Sequence, residues 1–103
     1  MTTPTQAFFC KLNPPRATFV QDMTEGERKV MQEHAVYWRG LMDQGKVVTF
    51  GFVADPSGGF GIGVIEVADQ AEAQRLTDND PTILSRRGFF FDVFLMPRGA
   101  VHR

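Results

Sequence analysis

Residues 89–96 read Phe-Phe-Phe-Asp-Val-Phe-Leu-Met, a strand-like run that is apolar on both of its faces. Side chains alternate along a strand, so Phe89, Phe91, Val93 and Leu95 point one way and Phe90, Asp92, Phe94 and Met96 the other. An antiparallel sheet with one wet face alternates apolar and polar residues instead. Lys46–Ala54 behaves similarly, with Val47 and Val53 expected on one face and Val48, Phe50 and Phe52 on the other. Nine of the ten phenylalanines fall in four such segments, against a single Trp and a single Tyr in 103 residues. The chain must therefore build a sheet that is covered on both sides.

The other elements follow from local chemistry. Gln6–Leu12 is a first strand, closed by Asn13-Pro14-Pro15, and residues 13–23 read as a loop. Thr24-Glu25-Gly26-Glu27 has the capping-box pattern, and a helix runs to about Gln44, ended by Gly45. Its apolar residues Val30, Met31, Ala35, Trp38, Leu41 and Met42 recur at three- and four-residue steps. Strands over 46–54 and 60–68 flank the turn Asp55-Pro56-Ser57-Gly58-Gly59. Asp69 starts a second helix to about Thr77, and a short helical turn spans 81–87 with Pro81 at its first position. The order βαββαβ, over one domain spanning 1–103, is the ferredoxin-like pattern: an α+β fold with a four-stranded antiparallel sheet and two helices on one face. Two helices cover only one side of that sheet, so a second copy is expected on the other, giving a homodimer through the sheet faces.

Composition narrows the function classes. Lys+Arg 11 against Asp+Glu 12 leaves a net charge of −1, with no electrostatic footprint for nucleic acid or an acidic membrane. No apolar run approaches the roughly 18 residues of a membrane span, and MTTPTQAFF does not read as a secretory leader. A cytoplasmic protein is expected. One cysteine and two histidines make a metal site improbable. His102, near the C-terminal end, is expected to be mobile. Cys10 reads as a small core residue rather than a nucleophile. Gly59, Gly61 and Gly63 share a strand face but lack the spacing of a phosphate loop, so they point to open space for a helix or a ligand.

His34 lies in the helical stripe of Met31, Trp38 and Leu41, turned toward the sheet. It is either a core histidine bonded to a local carbonyl or a general acid/base, whose reach into neutral pH suits proton transfer. A carboxylate partner would fix its tautomer. Asp80, in the break Asp78-Asn79-Asp80-Pro81, is one candidate, and a helix cap is its other reading. Asp92, the lone charge of the last strand, is the second candidate, and an edge charge against aggregation is its other reading.

The run Met31-Gln32-Glu33-His34-Ala35-Val36-Tyr37-Trp38, then Lys46-Val47-Val48-Thr49-Phe50-Gly51, then Asp78-Asn79-Asp80-Pro81 and a Pro-ended strand, resembles the YCII-related (YciI-like) family. The resemblance runs from about Ala7 to Arg98 and implies a dimeric α+β barrel. It also implies a catalytic His–Asp pair at His34 and Asp80, and proton-transfer chemistry on small cyclic or aromatic-derived substrates without a cofactor. If the chain is such an enzyme, Trp38 and Phe52 wall a pocket, and Arg16 either holds a substrate carboxylate or is a solvated surface arginine. The competing expectation is a dimeric small-molecule-binding or accessory protein that uses the same pocket without chemistry.

Overall fold

The structure, a computed structural model, describes residues 5–100. Strands β1 (Gln6–Asn13), β2 (Val47–Val53), β3 (Phe60–Val67) and β4 (Phe90–Met96) form one antiparallel sheet in the order β2-β3-β1-β4. Four helices, α1 (Phe19–Asp22), α2 (Glu25–Asp43), α3 (Gln70–Asp78) and α4 (Pro81–Leu84), complete the order β-α-α-β-β-α-α-β. This is the expected ferredoxin-like α+β fold with one short helix more. That helix, α1, lies inside the stretch expected to be loop. Phe19 and Met23, one turn apart, held its signal.

The long helix begins and ends as its sequence dictates. The Thr24 hydroxyl accepts the Glu27 amide, and the Glu27 carboxylate accepts the Thr24 amide, so two orphan donors of the first turn are satisfied. At the other end Gly45 adopts a φ of 77°, and the amides of Gly45 and Lys46 return to the carbonyls of Met42 and Leu41. That is the glycine-dependent Schellman closure, which turns the chain back into β2.

Helix α2 lies over β2, and α3 lies over β1, β3 and β4. Between them and the sheet sits the main core, with Phe8, Cys10, Trp38, Val47, Ile65 and Leu76 buried. Burial in this apolar setting pushes the Cys10 thiol up to about 12, so it stays protonated and inert. A second cluster of Leu12, Phe19, Val30 and Phe89 gathers under α1, where the rings of Phe19 and Phe89 meet edge to face at 5.3 Å.

The faces of β2 differ from expectation. Val47 stands opposite Ile65 and Thr49 opposite Val64, so Val48 is an extra, bulged residue. Beyond the bulge Phe50 and Phe52 stand opposite Gly63 and Gly61, on the helix side with Val47, while Val53 turns to the open side. Strict alternation through Val48 had placed Val47 and Phe50 apart. The glycines of β3 do make space, and a neighbouring side chain fills much of it: a Cβ on Gly63 would collide with the six-membered ring of Trp38. Gly63→Ala is therefore expected to cost about 1–3 kcal/mol by overpacking and to shift the Trp38 emission, both readable in a denaturant titration followed by fluorescence.

Candidate active site

Asp80 is the N-cap of α4, and its side chain has no solvent exposure. Its two oxygens serve different partners. Oδ1 accepts the amide and the hydroxyl of Thr82, both at 2.8 Å. Oδ2 accepts the indole N–H of Trp38 at 2.5 Å and lies 2.7 Å from Nδ1 of His34. Capping and pairing with His34 are thus not alternatives: the cap fixes the carboxylate plane so that the second oxygen meets the helix stripe. Pro81 at the first helical position and Thr82 after it set this orientation locally.

Burial alone would raise the Asp80 carboxyl. The hydrogen bond and charge of His34, with the Thr82 amide and the Trp38 indole, outweigh it and bring its pKa below the ordinary aspartate value. Asp80 is therefore ionised at neutral pH, and an ionised carboxylate only accepts. Nδ1 of His34 must carry the proton. In the neutral ring Nε2 is then the nitrogen with a free lone pair, and it belongs to a side chain that lines a cavity of about 350 Å³. This cavity lies between α2 and the β2 side of the sheet, with Met31 and His34 from α2, Phe50 and Phe52 from β2, and Phe19 and Met23 from the α1 region in its wall.

The other expected site residues divide. Phe52 is in the cavity wall, 58% exposed, its ring over Gly59. Trp38 is 2% exposed and stands behind the pair, because its ring is seated on Gly63 and its N–H is spent on Asp80. It orients the carboxylate and does not wall the cavity. Asp92 faces the opposite side of the sheet, paired across from Lys11 and accepting from Nδ2 of Asn13 at 2.9 Å. Sheet alternation keeps it from His34, so Asp80 is the carboxylate partner. His102 lies outside the described residues.

Arg16 does not reach the cavity either. Two of its nitrogens bond the Glu27 carboxylate at 2.8 Å each, its Nε bonds Asp22 at 2.7 Å, and it also bonds the Asp22 carbonyl. Its guanidinium lies 5.5 Å from the centre of the Phe19 ring. It borders a separate, polar hollow with Lys11, Asp55 and Ser57. The side chain is a strap that ties α1, the roof of the cavity, to the first turn of α2. Sequence reading missed this use, although the buried acid it needs, Glu27, was already visible as half of the capping box.

Among the described residues no group of three or more His, Cys, Asp or Glu is arranged to hold a metal. None of the helices there is long and apolar enough to cross a membrane.

The fold is thus a ferredoxin-like sheet on which a partly buried histidine, paired with a buried carboxylate, lines an apolar cavity. Residues 7–97 match the YCII-related domain, and the chain belongs to that family. No curated protein matches it significantly.

The strap carries a pH signature. The hydrogen bonds from Arg16 and from the Thr24 amide lower the Glu27 carboxyl from the ordinary 4.5 to about 2. A carboxyl depressed in the folded state stabilises above its unfolded value and loses that contribution as the pH falls through the folded one. Stability should thus decline between pH 4.5 and about 2. Glu27→Gln is expected to be less stable at pH 7 and to show a shallower decline over that window, measured by urea unfolding at stepped pH.

Proposed function

We propose that the protein is a cofactor-free enzyme of the lyase or isomerase kind, in which His34 moves a proton on a small cyclic substrate and Asp80 supports it. The observation that carries this reading is the 2.7 Å contact between Nδ1 of His34 and a fully buried carboxylate, at the wall of a cavity. Asp80 holds the imidazole in the tautomer whose Nε2 accepts, and stabilises the imidazolium once the proton arrives. The same imidazolium returns the proton to another atom of the substrate, which is the net change an isomerisation or elimination requires. Positioned acid–base help of this kind contributes about 10²–10⁴-fold.

An enolisable bicyclic ketone, 2-tetralone, is a suitable probe. In deuterium oxide the protein should accelerate exchange of its α-protons, read by proton NMR, and His34→Gln should lose about 10²–10⁴-fold of that rate. Exchange no faster than with the variant, on a probe that demonstrably binds, would favour the second reading: a small-molecule-binding or accessory protein. That reading draws on the same cavity, whose wall holds one ionisable side chain and no second chemical group.

The assembly belongs to the same reading. The open face of the sheet carries Phe9, Phe60, Ile62 and Val64 with Phe90 and Phe94, the last two 55% and 54% exposed. An apolar surface of this kind, crossed by the Lys11 and Asp92 row, marks an interaction site, and a second copy of the chain is its occupant on our reading, joined face to face. Phe94→Glu places a charge at that contact. It is expected to convert a micromolar dimer to a folded monomer in sedimentation velocity, whereas a folded wild-type monomer at that concentration would remove the dimer.

A further inference from the structure

We infer that the ligand of the cavity beside His34 is uncharged, compact and mainly hydrocarbon, with one weakly acidic hydrogen-bonding group for Nε2, and that carboxylates and phosphates are disfavoured there. The inference rests on the reading of this cavity as the ligand site and adds the class of molecule it takes. It departs from the expectation that Arg16 would anchor a substrate carboxylate.

The wall carries the first part of the argument. Five phenylalanines line the cavity together with aliphatic residues, methionines, glycines and one proline, and His34 is the only ionisable side chain among the lining residues. Among the described residues no lysine, arginine or amide side chain lines it. The cations nearby are used elsewhere. Arg16 is consumed by Glu27 and Asp22, Lys11 lies 4.5 Å from the centre of the Phe60 ring, and Arg39 lies 5.7 Å from that of Phe50. An anion entering this space would leave water for hydrocarbon, a transfer that is strongly unfavourable unless an opposite charge meets it.

His34 does not supply that charge. Neutral, it presents a lone pair at Nε2 and repels an anion. Protonated, it is already balanced by Asp80 at 2.7 Å, so the pair is neutral and an added anion would leave one negative charge uncompensated. An uncharged protic ligand fits both states. Its X–H donates to Nε2. If the proton transfers, the bonding pair stays on X, and the imidazolium lies between two anions with the total charge of the site unchanged. The volume of about 350 Å³ sits near the small end of ligand sites, which run from about 300 to 1,000 Å³. The flat faces of Phe19, Phe50 and Phe52 suit one or two fused rings.

Three probes on one skeleton test this at pH 7: naphthalene, 2-naphthol and 2-naphthoate, with binding followed by ligand fluorescence. The wild-type protein should bind 2-naphthol at least tenfold more tightly than 2-naphthoate. His34→Gln should reduce 2-naphthol to the affinity of naphthalene and leave naphthalene itself unchanged. Ala35→Arg, at an exposed position on the cavity rim, should raise 2-naphthoate at least tenfold by supplying the missing cation. Naphthoate binding as tightly as naphthol to the wild type would overturn the ligand class while leaving the His34–Asp80 proton-transfer reading intact. Unchanged naphthol affinity in His34→Gln would overturn the hydrogen-bonding part. Binding of none of the three would overturn the cavity as the ligand site, and the functional reading with it.

Discussion

One carboxylate organises the region between the long helix and the sheet. Asp80 is removed from water, and four donors compensate it: two from Thr82, one from Trp38 and one from His34. Unmade, any of these bonds would leave a buried polar group with a penalty of about 1–3 kcal/mol. Helix α4, the seat of Trp38 on β3 and the rotation of α2 must therefore agree with one another to satisfy a single side chain. Gly63 has a part in this agreement, since the indole reaches Asp80 only where the sheet lacks a Cβ. A polar network of this kind restricts the packing to one arrangement, and it sets a histidine nitrogen at a defined place.

The second constraint is the cover of the cavity. Helix α1 is four residues long and has no side-chain cap, so its conformation depends on what it touches. Phe19 inserts beneath it against Phe89, and Arg16 ties its end to Glu27. The arginine that chemistry alone would assign to a substrate is thus spent on architecture, and the cavity is left without a positive charge. Its selectivity follows from what the fold has already used.

Much of this was legible in the residues. The capping box, the glycine stop at Gly45, the Asp80-Pro81 break and the helical stripe through His34 each act over a few residues, and each appears where local chemistry puts it. The pairing of His34 with Asp80 joins positions 46 apart, and no local rule generates it; a resemblance to the YCII-related family supplied it in advance. Arg16 was misread because a guanidinium in a loop looks the same whether it awaits a ligand or a partner acid. Trp38 was misplaced because the stripe gives its direction but not the depth that Gly63 allows. The faces of β2 were misread because a bulge adds a residue without a composition signal of its own.

That bulge has a consequence for how the gene can change. Val48 is the single extra residue between Val47 and the two rings, Phe50 and Phe52, that share its side of the sheet. Removing one codon there would restore plain alternation and leave everything beyond it in place: Val47 and Phe50 would stand two residues apart, and both rings would stay on the cavity side. The strand would lose only its one unpaired residue. A one-residue gap between Val47 and Phe50 should therefore be tolerated among descendants that retain the cavity, whereas a gap between Phe50 and Phe52 would turn the two rings to opposite faces.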